Sequence, residues 1–207
     1  MRLTSPNQLT VLRMILTPVF IVLFLLGGST NILLASIVYF LASVTDWYDG
    51  YMARHLQMVT RWGQFMDPLA DKLLVSSALI VLAYEHYLYW WMIILVILRD
   101  FIVTGLRSFA LYIGKPIITS NLAKWKTFVQ MGFVFLLLIY INIPNAPEIR
   151  LDRVAHPYLL WTTWLMLLVV VLTILSGTHY LIVNRQHVSE LAKRTYFGLM
   201  HLFEKDR

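Results

Sequence analysis

The chain has 207 residues, of which 59% are apolar and 14% are charged. Globular domains carry roughly 25% charged residues, so this composition excludes an ordinary soluble domain and predicts a protein embedded in a bilayer. Because the sequence has no cysteine, disulfides, thiolate nucleophiles and cysteine-based metal sites are excluded. The net charge of +6 is typical of a membrane protein that faces anionic lipid, and we expect no nucleic-acid partner.

Six apolar windows are each long enough to cross the hydrocarbon core of a bilayer, which takes roughly 20 helical residues. They lie at about 8–27, 31–52, 63–84, 89–110, 122–141 and 159–183. We therefore predict an all-α integral membrane protein with six transmembrane helices, forming a single domain over residues 1–207. The first window is longer than a signal-peptide core, and we expect it to be retained.

Basic residues indicate how the predicted spans are oriented. Thirteen of the 17 lysines and arginines lie in the N-terminus, the 54–61 turn, the 107–126 segment and the C-terminal tail. Cytoplasmic segments carry an excess of Lys and Arg, so both termini are predicted to be cytoplasmic. Residues 189–203 separate apolar from basic positions at helical spacing, which predicts an amphipathic C-terminal helix on the membrane surface.

Four of the 11 acidic residues lie at the predicted cytoplasmic ends of the second and third spans. They are Asp46, Asp49, Asp67 and Asp71. The first pair is spaced i, i+3 and the second i, i+4, so each pair projects from one face of its helix. If the two helices are neighbours, the four carboxylates converge, and two divalent cations would relieve their repulsion.

The chemistry of these ligands favours particular ions and a particular reaction. Oxygen ligands without histidine or cysteine favour Mg²⁺ or Mn²⁺. A site with two such ions is typical of in-line phosphoryl displacement. Gly50 and Ala53 share a face with the first carboxylate pair, and Gly63 opens the third helix, so a bulky ligand can approach closely. Arg54 is suited to bidentate phosphate contact.

Two other interpretations of the acidic cluster are open at this point. The carboxylates could cap helices or pair with basic neighbours such as Arg54, Arg61 and Lys72. They could also belong to a cation-coupled transporter, although transporters place such residues near the middle of the membrane. Capping accounts for neither the paired spacing nor the small residues on the same face, and the carboxylates lie at the predicted cytoplasmic ends of their spans.

The whole pattern resembles a family signature. From Asp46 to Asp71 the sequence reads D-x-x-D-G-x-x-A-R-x8-G-x-x-x-D-x-x-x-D, which resembles the signature of the CDP-alcohol phosphotransferase family at all eight specified positions. Members of that family transfer the phospho-alcohol part of a CDP-alcohol to an acceptor alcohol and release CMP. The resemblance implies a homodimer and two divalent cations.

The resemblance also implies a role for individual residues. The two metal ions would be bound by Asp46, Asp49, Asp67 and Asp71, and Asp71 would also be the general base. The CDP group would be contacted by Gly50, Arg54 and Thr60, in space left by Ala53 and Gly63. From the first helix, Asn7 and Thr10 could reach the nucleotide, unless Asn7 only caps that helix.

Shorter segments narrow the expected acceptor. The runs PNQLTVLR (6–13), TDWYDG (45–50), DPLADK (67–72) and KWKT (124–127) resemble family members that join CDP-diacylglycerol to sn-glycerol 3-phosphate. Those members are bacterial, which implies a bacterial cytoplasmic membrane with the site facing the cytoplasm. Members that accept phosphatidylglycerol or inositol phosphate remain alternatives, because the usual Arg-Glu of the fourth span is Arg99-Asp100 here.

A phosphorylated acceptor needs fixed cations near the metal ions, since its phosphate is a dianion near neutral pH. Arg107, Lys124 and Lys126 are predicted on the same side of the membrane as the carboxylates, and we assign the acceptor phosphate to them. Arg99 lies deeper in its span. It either contacts the substrate or forms a buried ion pair with Asp100.

Overall fold

A computed structural model describes the backbone of residues 5–55, 61–112 and 121–184. Within these ranges, side chains are described at 10–45, 69–108, 110 and 121–184. The predicted surface helix at 189–203 and the predicted nucleotide contact Thr60 lie outside the described residues.

The described part of the chain is all-helical, as predicted. It contains α1 (Ser5–Leu26), α2 (Ser29–His55), α3 (Arg61–Tyr84), α4 (Trp90–Tyr112), α5 (Asn121–Ile141) and α6 (Trp161–Val183). A 3-10 turn at Pro157–Leu159 precedes α6 and was not predicted. Each helix coincides with one predicted apolar window, and its ends agree to within three residues. Helices α1, α2, α3 and α5 begin before their windows because backbone hydrogen bonding extends into polar residues that precede the apolar run.

A pair of glycines makes the connection between α1 and α2. Gly27 and Gly28 have φ angles of +68° and +79°, a left-handed conformation that side chains with a Cβ rarely adopt. The Gly27 N–H donates to the carbonyl of Phe24 at 3.2 Å and so closes the end of α1. This tight turn allows α2 to pack back against α1.

Among the described residues, helix α3 packs against four other helices, and α1 packs against two. Helix α1 packs against both α2 and α3, while α4 packs against α3 and α6, and α5 packs against α6. Among the described residues, α2 and α3 contact each other less than each contacts α1. A buried aromatic core ties three helices together, since the ring of Tyr39 lies 5.5 Å from Phe20 and 5.4 Å from Phe135.

The outer faces of the helices are also apolar. Leu26, Phe128 and Ile182 are each about two-thirds exposed or more, and similar side chains are exposed along every helix. A continuous apolar exterior of this kind marks a surface made for an apolar environment. By length and composition, two of the described helices, Asn121–Ile141 and Trp161–Val183, are apolar enough to cross a membrane. Shorter apolar stretches occur at Thr10–Leu26 and Ser29–Thr45.

Candidate active site

The carboxylates of the motif lie on two helices that are continuous through it. Asp46 and Asp49 lie in the C-terminal part of α2, and Asp67 and Asp71 lie in the N-terminal half of α3. Helix α3 runs through Pro68 without interruption. Both pairs therefore keep their helical spacing, so each pair shares one face of its helix, as the sequence predicted. Gly50, Ala53, Arg54 and Gly63 also lie within these helices.

Among the four motif aspartates, Asp71 is the one with a described side chain. Its carboxylate is 23% exposed and forms an ion pair with Lys72 Nζ at 3.4 Å. No three His, Asp or Glu side chains cluster among those described. The side chains of Asp46, Asp49 and Asp67 lie outside that set, so the four-carboxylate metal site stays a prediction. Its donor set still suits a divalent ion, because all four ligands are hard oxygen donors.

The N-terminal half of α1 carries polar side chains into the interior. Thr10 and Arg13 lie one helical turn apart and are both fully buried. The helix that carries them packs against both acid-bearing helices. Thr10, a predicted nucleotide contact, therefore lies on the inner side of the bundle. Asn7 belongs to the same helix, but its side chain is outside the described set.

A second group of charged residues lies between α4, α5 and α6. The ammonium of Lys126 donates to both carboxylate oxygens of Asp100, at 2.5 and 2.6 Å. The guanidinium of Arg99 donates to Asp100 Oδ1 at 3.2 Å and to Ser176 Oγ at 2.9 Å. We call these four residues the Asp100 cluster. Lys126 and Asp100 are buried and neutralise each other, and the second cation, Arg99, shares the same carboxylate.

The three cations assigned to the acceptor phosphate are placed differently from one another. Lys126 is fully buried in the Asp100 cluster, whereas Lys124 is exposed. Residues two apart on a helix point roughly 200° apart, which is why the two lysines of α5 face opposite ways. Arg107 is partly buried on α4, and its charge acts on the hydroxyl of Tyr180 in α6. The structure thus brings Lys126 together with Arg99, and it leaves Lys124 on the surface of α5.

The sequence did not predict the contributions of α6 to this region. Ser176 accepts a hydrogen bond from Arg99, and Gly177 lies directly beneath the Arg99 side chain. A serine-glycine pair inside a mainly apolar helix was the available signal, because small and hydroxylated residues are enriched where membrane helices pack closely.

Lys72 connects the two groups of charged residues. It pairs with Asp71, and its charge also acts on both Asp100 and Lys126. Helix α3, which carries Asp71 and Lys72, packs against α4 and α5, which carry Asp100 and Lys126. A partly exposed carboxylate on α3 near largely buried cations on α4 and α5 suits the binding of an alcohol that carries a negatively charged group.

Comparisons with known proteins point to one family. The sequence model of the CDP-alcohol phosphatidyltransferase family matches residues 3–175. The chain is 38% identical over 187 residues to a CDP-diacylglycerol–glycerol-3-phosphate 3-phosphatidyltransferase of Bacillus subtilis (strain 168), covering 84% of this chain and 92% of the relative. A relative of the same name from Rickettsia typhi is 38% identical over 175 residues, which cover 84% and 93% of the two chains. A third, from Haemophilus influenzae, is 35% identical over 167 residues, which cover 78% and 90%.

Proposed function

The chain belongs to the CDP-alcohol phosphatidyltransferase family, and from this premise we propose that it transfers the phosphatidyl group of CDP-diacylglycerol to sn-glycerol 3-phosphate. The products are phosphatidylglycerophosphate and CMP, so the protein is a transferase of phospholipid biosynthesis. The observation that carries this assignment is the similarity to relatives named for that reaction, at 35–38% identity over most of both chains. The complete acidic motif on α2 and α3 agrees with it.

In the proposed mechanism, two divalent cations, Mg²⁺ or Mn²⁺, would be held by the motif carboxylates Asp46, Asp49, Asp67 and Asp71. When bound, these ions would neutralise charge on the diphosphate and make CMP a better leaving group. Asp71 takes the proton of the acceptor hydroxyl as that oxygen attacks the phosphorus of the phosphatidyl group. The bond from this phosphorus to the bridging oxygen of the diphosphate breaks, and that oxygen leaves with CMP. The side chain of Asp71 is 23% exposed, which supports this role, because an acceptor hydroxyl can reach its carboxylate.

The nucleotide is assigned to the helices around the carboxylates. We propose that the CDP group is bound by Asn7, Thr10, Gly50, Ala53, Arg54, Thr60 and Gly63. The burial of Thr10 on α1, against α2 and α3, supports this arrangement. The acceptor phosphate is assigned to Arg107, Lys124 and Lys126, of which Lys126 has the best-supported position, because it faces the interior of the bundle and its helix packs against α3, which carries Asp71.

We also propose a location and an assembly. All six helices span a bacterial cytoplasmic membrane, both termini and the site face the cytoplasm, and two copies form a homodimer. The apolar outer faces of the helices support the bilayer. Trp90, Trp91 and Tyr84 are exposed near the turn between α3 and α4, where amphipathic rings would meet the lipid headgroups.

The test is CMP release by the purified protein in liposomes that contain CDP-diacylglycerol. Glycerol 3-phosphate, inositol phosphate, serine and phosphatidylglycerol are compared as acceptors, each with Mg²⁺ and with EDTA. With Mg²⁺, we expect CMP release when glycerol 3-phosphate is the acceptor and none with the other three acceptors. With EDTA, we expect no CMP release with any acceptor. If CMP is released with another acceptor, the proposed class of reaction stands and the proposed acceptor is wrong. If no acceptor releases CMP, the transferase proposal fails, and cation flux across the liposome becomes the next measurement.

A further inference from the structure

The Asp100 cluster holds more positive than negative charge. Its two cations, Arg99 and Lys126, share one carboxylate, and among the side chains that the structure describes no other carboxylate contacts either of them. The side chain of Arg99 is 14% exposed and that of Lys126 is fully buried. Unbalanced charge in a dry interior is costly, so this arrangement favours the binding of an anion.

Unused donors lie in the same region. The Nε of Arg99 is buried and has no hydrogen-bond partner among the described residues, although both terminal nitrogens of its guanidinium are engaged. The hydroxyl of Tyr180 is likewise buried without a partner there, and the charges of Arg99 and Arg107 both act on it. Buried polar groups are normally paired, so two unpaired donors beside excess positive charge indicate a place where a ligand supplies the acceptor atoms.

We propose that Asp100 is a positioning residue, which holds Lys126 and Arg99 side by side so that their remaining donors bind the phosphate of the acceptor. Without the shared carboxylate, the two cations would repel each other and separate. An ammonium has three donors, and those not directed at Asp100 remain for the ligand. Because α3, which carries Asp71, packs against α4 and α5, a phosphate bound here leaves the hydroxyl end of the acceptor on the side of the base. This inference rests on the proposed function.

The experiment compares Asp100→Asn with Asp100→Glu in the CMP-release assay. The asparagine keeps the shape of the side chain and removes its charge, so we expect the KM for glycerol 3-phosphate to rise roughly tenfold or more. The KM for CDP-diacylglycerol should stay the same, because the nucleotide is assigned to other helices. The glutamate restores the charge and should recover most of the affinity for the acceptor.

A matched control is Glu85→Gln, which makes the same carboxylate-to-amide change in an ion pair with Arg150, outside the Asp100 cluster. Both of its KM values should equal those of the unaltered protein. If Asp100→Asn folds poorly, Ser176→Ala provides a second test, because it frees one arm of the Arg99 guanidinium. We expect a severalfold rise in the KM for glycerol 3-phosphate from this variant.

The outcomes separate this inference from the proposed function. If Asp100→Asn and Ser176→Ala lower only the fraction of active protein, or raise both KM values equally, then the cluster is structural and the inference is overturned. If the unaltered protein releases CMP only with a different acceptor, the proposed substrate fails and the assignment of its phosphate fails with it. If these variants raise the KM for glycerol 3-phosphate and leave the KM for CDP-diacylglycerol unchanged, the result supports both the inference and the proposed function.

Discussion

The side chain of Arg99, which extends from α4, passes over α6 at Gly177, and a Cβ on that glycine would lie 3.3 Å from Cγ of the arginine. The guanidinium then reaches the hydroxyl of the preceding residue, Ser176. A side chain at position 177 would fill the space through which Arg99 passes. The close approach of α4 to α6 and the position of the guanidinium therefore depend on this glycine.

We predict that Gly177→Ala stabilises the protein less than Gly132→Ala does. In a helix, replacing glycine by alanine usually adds roughly 0.5–1 kcal/mol to the free energy of unfolding. The new methyl group at Gly132 meets nothing within 4 Å, so this variant should show the full gain. At Gly177 the methyl group forces Arg99 to move by a few tenths of an ångström, which offsets the gain. Thermal unfolding of both variants in detergent measures the difference, and equal gains would contradict the close contact.

Asp71→Asn should nearly abolish turnover. An amide cannot accept the proton of the acceptor hydroxyl, and the loss of a general base typically costs roughly 100- to 10,000-fold in rate. CMP release is measured at saturating concentrations of both substrates and Mg²⁺. The control is Asp152→Asn, because this aspartate is exposed in the loop between α5 and α6 and should not affect the rate. Full turnover by Asp71→Asn would show that the base is another group.

The other motif aspartates should behave as metal ligands. Replacing Asp46, Asp49 or Asp67 by asparagine removes a charged oxygen ligand, so the Mg²⁺ concentration that gives half-maximal activity should rise by more than roughly tenfold. Excess Mg²⁺ should recover part of the rate in these variants and none in Asp71→Asn, where the base itself is missing. An unchanged Mg²⁺ dependence in all three variants would contradict the proposed metal site.

The helices of this protein could be predicted from sequence because each one is a long apolar run. The bounds of α5 differ by one residue at its start from the predicted window 122–141 and agree at its end. That each aspartate pair shares a face could also be predicted from sequence, since positions three or four apart share a face in any continuous helix. These are local properties, and neither depends on how the helices pack.

The packing of the helices and the partners of buried charges could not be predicted in the same way. The sequence suggested Arg99 as a partner of Asp100, and this pair is confirmed at 3.2 Å. The second partner, Lys126, lies 26 residues away on another helix, and its contact depends on the rotation of α5 about its own axis. A weakly amphipathic helix does not reveal that rotation, so Lys124 and Lys126 could not be told apart before the structure.

A separate ion pair joins the α3–α4 turn to the loop before α6. Arg150 contacts Glu85 at 3.1 Å, and its guanidinium lies 5.1 Å above the ring of Tyr87. Burial by itself lowers the pKa of Arg150, but Tyr87 and the carboxylates of Glu85 and Glu148 outweigh it and raise that pKa above its usual value. Because the pKa of Arg150 is raised in the folded protein, its positive charge stabilises the fold at every pH below the usual pKa of arginine. This stabilisation is lost only in strong alkali.

We therefore predict that Arg150→Gln lowers the free energy of unfolding by about 1 kcal/mol, because it removes both the ion pair and the contact with the ring of Tyr87. The loss should be constant across neutral pH, where Arg150 is fully charged. The control is Arg153→Gln, whose ion pair with Glu148 is about half exposed and should contribute almost nothing. Unfolding of both variants by heat, together with the KM for glycerol 3-phosphate, provides the measurement. We expect the KM for glycerol 3-phosphate to be unchanged, since this loop lies away from the Asp100 cluster. If the two variants are equally stable, Arg150 contributes no more to stability than a surface charge does.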